Sequence, residues 1–193
     1  MNGFYKFLKY ADYLKQLDEN GGACIYCGIM TDTGSFKFPS TTSETHRIIA
    51  DLIDLGVDHF KIHEEVFDKN TENKLKLRSS ILSSSLKVYE DYKTAIIKVS
   101  EAELEEYGYI KGDTEGLVNV ALSLGTVNRA VFFMENDGLI KISFRSKGIE
   151  NPVNTIASKY FEGGGHINAA GGKYIGSLDA AVEKFVTVLP EFV

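Results

Sequence analysis

Two cysteines in 193 residues are too few for a disulfide framework, and the compartment this implies is a reducing cytoplasm. No run approaches the roughly 18 consecutive apolar residues that a membrane span requires. The opening Met1-Asn2-Gly3-Phe4-Tyr5-Lys6 lacks the charged, apolar, small-residue order of a secretory signal. A Gly-x-Ser-x-Gly elbow and a P-loop are both missing, so acyl transfer on such an elbow and P-loop nucleotide hydrolysis drop out. Basic charge is also short. Twenty-one Lys and Arg against 27 Asp and Glu leave −6, which argues against coating of long nucleic acid by bulk charge. What is present is 44% hydrophobic and 25% charged, the balance of a soluble globular chain of one domain or two small ones.

The deficit of positive charge is uneven. From Arg129 to Lys173 six basic residues face four acidic ones, so this stretch is +2 and the remainder −8. An acidic body with one mildly basic stretch suits a small anion better than a polymer, although ordinary solvated surface explains the charge at least as well.

Apolar spacing of three and four predicts a helix over 4–17, ended near Glu19-Asn20-Gly21-Gly22. Ala23–Met30, apolar throughout, reads as a strand buried on both faces, which would set Cys24 and Cys27 on opposite sides as core residues. A capping box in Thr41-Thr42-Ser43-Glu44 precedes a helix over 46–55, stopped by Gly56. Further helices are expected over 58–67 and 73–86. Beyond Lys87 come a strand over 94–99, a short helix capped by Ser100, and a helix over 114–124. A hairpin of 129–135 with 139–145 follows, turning on Asn136-Asp137-Gly138. Asn151-Pro152 opens another helix, a short strand covers 173–175, and Ser177 caps the last helix. The expected fold is α/β: a parallel-sheet portion and linker helix in 1–86, then a smaller α+β mixed-sheet domain in 87–193.

Three stretches can carry chemistry. Thr31-Asp32-Thr33-Gly34 follows the expected strand, where open α/β sheets bind ligands, and Asp32 suits a hard cation such as Mg²⁺ or Mn²⁺. An Asx-turn accounts for it equally well. In Ile140–Lys147, alternation sends Ile140, Ile142 and Phe144 inward and Lys141, Ser143 and Arg145 to the other face. Arg145, with Ser146 and Lys147 beside it, could fork onto a phosphate, yet a polar outer face is common. Gly163-Gly164-Gly165-His166-Ile167-Asn168-Ala169-Ala170-Gly171-Gly172 is the most informative. Three glycines in a row are costly to order, and open amides beside an imidazole make an anion cradle. His59 and His63 have the four-residue spacing of a zinc pair but no catalytic glutamate between them, so solvated helix surface is the better reading.

Taken together, Gly28–Phe36, Thr114-Glu115-Gly116, Ser143–Lys147 and Gly163–Gly171 resemble the DHH-family phosphoesterases, in particular the C-terminal part of the nanoRNase/pAp-phosphatase (NrnA-like) branch, relatives of RecJ. The resemblance covers essentially the whole chain. It implies a two-Mn²⁺ centre that activates water for attack on phosphorus, with the second domain holding a short oligoribonucleotide, or pAp, which gives AMP. By position, Asp32 would be a metal ligand, Arg145 and Ser146 would meet the substrate, and Gly164, Gly165 and His166 would grip a phosphate. The family's upstream aspartates and Asp-His-His motif are missing: Asp58-His59 is followed by Phe60 and comes after the Asp-Thr-Gly. The expectation is therefore a portion of a larger enzyme, inactive alone, cytoplasmic, and without a membrane partner. An exposed sheet edge would invite a homodimer. The alternative is a non-catalytic nucleotide-binding or nucleic-acid-binding module, since this C-terminal domain type also occurs in alanyl-tRNA synthetases.

Overall fold

The computed structural model describes Tyr5 and residues 16–192. The helix expected over 4–17 thus falls almost wholly outside the described residues. The chain divides into two compact units, one reaching Asn70 and the other starting at Thr71.

In the first unit α1 spans Glu19–Asp32, α2 Ser43–Asp54 and α3 His59–His63, the last continuing as a π-helical turn, Glu64–Asp68. The strand expected at 23–30 is the middle of α1. Its buried residues, Gly22, Ile25, Tyr26, Ile29 and Met30, recur at three and one, a helical stripe rather than a strand's alternation. Asp18 starts the helix by accepting a hydrogen bond from the Gly21 amide at 2.8 Å. Gly22 does not terminate anything: a Cβ there would stand 2.8 Å from Val57 Cγ2, so its smallness lets α1 approach the end of α2. Cys24 is accordingly exposed and Cys27 only half-buried, not core residues of a strand. The cap of α2 is Thr42 with Thr45, one residue later than expected. Ile25, Tyr26, Ile29 and Met30 pack with Ile48, Ile49, Leu52 and Val57 into this unit's core.

The second unit comprises α4 (Glu72–Ser85), β1 (Lys87–Tyr89), β2 (Thr94–Val99), α5 (Glu101–Glu106), α6 (Leu117–Leu122), β3 (Arg129–Asn136), β4 (Leu139–Ser146), α7 (Asn154–Tyr160), β5 (Gly164–His166), β6 (Ala169–Ile175) and α8 (Leu178–Val188). The helix read as a linker, α4, belongs here, with Leu77 and Ile81 in the core. The strands form one sheet in the order β1-β2-β3-β4-β6-β5, with β2 parallel to β3 and the other neighbours antiparallel. The chain is thus mixed α/β with a mixed sheet. Asp137 and Gly138, at φ 52° and 69°, make the two-residue turn of the β3–β4 hairpin. Helix α7 starts later than Asn151-Pro152 suggests. Asn151 instead donates Nδ2 to the Lys147 carbonyl at 2.8 Å, which uses its side chain to shape the preceding loop.

Helices pack on both faces of the sheet, on the second against its β1–β3 half. On one, Val131, Phe133, Ile142 and Phe144 pack against Ile156, Phe161 and Phe185. On the other, Ala95, Ile97, Ala130 and Phe132 meet Leu77, Ile81, Leu104 and Leu117. No described helix is long and apolar enough to cross a membrane.

Candidate functional site

Strand pairing decides which side chains share a face, because directly opposed residues point to the same side and successive residues to opposite sides. Ala130 and Phe132 belong to the core under α4, α5 and α6. Their partners on β4 are Arg145 and Ser143. Following the register across β6 to β5 gives three rows on this face. The first is Arg145–Ala169–His166, the second Ser143–Gly171–Gly164, the third Lys141 opposite Lys173. No residue of β4, β6 or β5 joins the core on this side. This half of the sheet is open: Arg145, Ser143 and Ala169 are half-buried, while Gly164, His166, Gly171, Lys141 and Lys173 are exposed.

The glycines separate into two groups. A Cβ on Gly163 would lie 2.0 Å from the Gly171 carbonyl oxygen, and one on Gly172 would lie 2.9 Å from Phe161 Cβ. Gly165, at φ 143°, would meet the Ala169 carbonyl at 2.6 Å. These three are required by close approach of one chain segment to another. Gly164 and Gly171 are different. They are paired directly on the open face, where a Cβ on Gly164 meets nothing within 4 Å and one on Gly171 only the Ile142 carbonyl at 3.8 Å. Nothing inside the fold demands glycine there, which leaves approach of an external group as the physical reason for it. The glycine run is thus strand rather than loop, and Gly164 and Gly171 make a flat floor beside the Arg145–Ala169–His166 row.

Arg145 stands in the neighbouring row, opposite Ala169, with its Nη1 donating to the Phe144 carbonyl at 2.9 Å. Partial burial disfavours its charge and pushes its pKa below the usual arginine value, so an anion that pairs with it recovers lost solvation. Ser146 does not share this face. One residue further on, it points the other way, is buried, and accepts a hydrogen bond from Asn168 Nδ2 at 2.8 Å. Asn168 also donates to the Gly148 carbonyl at 2.6 Å, and its own carbonyl accepts from the Ser146 amide at 3.1 Å. Ser146 therefore ties the end of β4 to the Ile167–Asn168 turn and so fixes where His166 stands. Next to it in register is Arg129, only 7% exposed, with Nε lacking any partner. In Thr114-Glu115-Gly116 the side chains look inward or away. Thr114 is buried beside Met134, while the Glu115 carbonyl accepts from Arg78 Nη1 at 2.9 Å.

In the first unit Asp32 is the last, exposed residue of α1, not the end of a strand. Gly34, Ser35 and Phe36 follow, all left-handed at φ 56°, 58° and 65°. Two of the three are not glycine, which marks a strained turn. Thr33 pays part of that cost: its Oγ1 accepts from the Phe36 amide at 3.1 Å and donates to the Ile29 carbonyl at 2.6 Å. The Tyr26 ring sits near both His59 and His63, and its hydroxyl shares a hydrogen bond with His63 Nε2 at 3.1 Å. His63 is thereby a packing partner of α1. Among the described residues no three His, Cys, Asp or Glu stand close enough together to hold a metal ion. The donor set present does not by itself fit a two-metal centre.

Sequence reasoning passed over Gly171 as a floor residue and Lys173 as a neighbour of Lys141. Alternation along β4 had already pointed to Lys141 and Ser143; the missing information was the β4–β6 register.

No family model matches the chain. It is 31% identical over 157 residues to the bifunctional oligoribonuclease and PAP phosphatase NrnA of Bacillus subtilis, a match covering 81% of this chain and 48% of that protein. Against the protein of the same description from Thermus thermophilus it is 29% identical over 168 residues, 86% of this chain and 49% of that one. The crystal structure of an exopolyphosphatase-related protein from Bacteroides fragilis superposes with a TM-score of 0.92 at 38% identity, over 97% of this chain and 54% of the other. The chain spans about half the length of the curated relatives it matches.

Proposed function

The chain belongs to the NrnA-like DHH-family phosphoesterases, and from that premise we propose that it supplies the substrate-holding surface of a phosphoesterase acting on short oligoribonucleotides. Mononucleotides are the product, and pAp, giving AMP, is a second substrate. The observation that carries this reading is the bare Gly164–Gly171 pair in the row next to Arg145–Ala169–His166. A phosphate laid on that floor meets the Arg145 fork from one strand and the His166 imidazole from another. The absence of side chains at Gly164 and Gly171 lets it reach the backbone. Gly165 and Ser146 act one step back, by shaping the β5–β6 turn that carries His166.

Asp32 offers a carboxylate to Mn²⁺. It ends a helix whose last turn holds no basic residue, and the negative end of the helix dipole favours a cation there. One carboxylate does not build the centre, so the described residues alone are inactive, and this chain works through binding. The same observation favours the second reading, a nucleotide-binding module without catalysis. Both readings expect no hydrolysis by the chain alone. Mn²⁺-dependent release of mononucleotide from a diribonucleotide by the purified chain would overturn inactivity.

Binding is tested by calorimetric titration of AMP and a 5′-phosphorylated diribonucleotide. Arg145→Ala is expected to weaken both at least about tenfold, which corresponds to about 1.4 kcal/mol. Unchanged binding would remove the phosphate site from this face.

A further inference from the structure

Arg129 opens β3 on the side of the sheet away from Arg145. Val131, two residues on, lies in the core under α7 and α8, so Arg129 points to that side, and so does Ser146, its partner in register. The row continues through Thr94 to Tyr89 and closes this end of the core with hydrogen-bonding side chains. An arginine is anomalous in this place. It is only 7% exposed, and burial lowers its pKa because the charged form is the one that loses solvation. Yet among the described residues no carboxylate stands within ion-pair distance of it, and its Nε is enclosed without an acceptor. Buried charges are ordinarily paired, since an uncompensated one is among the costliest features a fold can carry.

The surrounding groups do not relieve it. Thr94, fully buried, donates its Oγ1 proton to the Tyr92 carbonyl at 2.8 Å. Glu150, in the loop after β4, accepts from Asn151 Nδ2 at 3.2 Å. Ser146 Oγ accepts from Asn168 Nδ2 at 2.8 Å, and no described residue accepts its own proton. A guanidinium and a hydroxyl thus occupy directly opposed positions, about 5 Å apart at Cβ, both with uncommitted donors and with no acceptor between them.

We propose that Arg129 and Ser146 form an anion site on the helix-covered side of the sheet, separate from the Arg145 row, that takes a small free oxyanion of the phosphate class. The planar guanidinium matches two oxygens of such an anion, and the Ser146 hydroxyl adds a further donor. The bound anion supplies the counter-charge that the fold itself leaves out. With 7% of Arg129 exposed, the opening suits a free tetrahedral anion rather than a phosphate carrying a nucleoside.

The test is a titration of inorganic phosphate into the 193-residue chain, followed by amide chemical shifts in NMR spectra at constant pH, with ionic strength held by sodium chloride. Arg145→Ala is the background that removes the open-face site, and Arg129→Met and Arg129→Lys are each made in it. Saturable shifts are expected at the Thr94 and Arg129 amides, unchanged by Arg145→Ala. They should be lost in Arg129→Met and weakened in Arg129→Lys, which keeps the charge but not the fork. AMP is expected to leave both amides unmoved in the Arg145→Ala protein. No saturable phosphate shift in the Arg145→Ala protein, or the same shift in Arg129→Met at position 94, would overturn the site. Equal shifts with AMP would overturn the assignment to a free anion.

Discussion

Gly164→Ala separates folding from binding more cleanly than any other change on the open face. The added methyl meets no atom within 4 Å, and the backbone at 164 lies outside the left-handed region, so the residue accepts a side chain without strain. Alanine also narrows the unfolded ensemble, which is worth about 0.4–1 kcal/mol to the native state. At about 2–4 °C per kcal/mol for a chain of this size, the melting temperature should rise by about 1–4 °C. The same methyl stands on the floor beside the Arg145–Ala169–His166 row, where it holds a bound phosphate away from the backbone. AMP affinity should fall about tenfold. Calorimetry of the free protein and titration with AMP read the two effects separately. Gly163→Ala provides the contrast: its Cβ would lie 2.0 Å from the Gly171 carbonyl oxygen, and that clash should cost about 1–3 kcal/mol by overpacking. A Gly164→Ala protein that melts higher and still binds AMP like wild type would refute the floor. One that melts lower would refute the open geometry at 164.

Arg129→Met should raise the urea midpoint by the equivalent of about 1 kcal/mol or more, since an arginine only 7% exposed, with its Nε unpartnered and no ion pair among the described residues, is costly to bury. A midpoint lowered by as much would contradict this. Asn168→Ala removes the bonds to Ser146 Oγ and the Gly148 carbonyl and should cost about 1–3 kcal/mol, with faster amide exchange in β5 as its signature. Unaltered exchange there would mean the turn is held by other contacts. Tyr5 donates to Asp51 at 2.9 Å, and burial, aided by Asp51, pushes its hydroxyl up to about 12 from 10.0. Its folded-state value exceeds the unfolded one, so its contribution is full below pH 10.0 and is lost as pH rises through about 12. Ultraviolet titration of wild type against Tyr5→Phe should show this late ionisation, and its absence would count against the bond.

The parts of the fold written in local chemistry could be read directly. Ser100 and Ser177 each cap the helix expected after them. Asn136-Asp137-Gly138 turns the hairpin, and alternation along β4 places Arg145 on the face away from Phe144. The same alternation puts Ser146 on the opposite side, so grouping it with Arg145 by proximity in sequence misplaced its side chain. Residues 23–30 are apolar throughout and have no period of their own, so a strand buried on both faces and a buried helix fit them alike. What settles it is tertiary, the seating of Gly22 against Val57 and of Ile25 and Ile29 in a helical core. In the glycine run the cost of order was legible, but its cause was not. Only the pairing of 164–166 with 169–171 shows which glycines serve the fold and which face outward.

The two sides of the Arg145–His166 row differ in how firmly they are held. Arg145 rides on an eight-residue strand bonded to β3 on one side and β6 on the other. His166 ends a three-residue strand bonded to β6 alone. Local opening in a sheet starts where pairing is one-sided and short. The surface thus has a preorganised anchor and a compliant jaw, and the entropy lost on capture of a ligand falls mostly on β5. Slower amide exchange on ligation should therefore concentrate in Gly164–His166, while β4 exchanges at the rate of the whole domain with or without ligand.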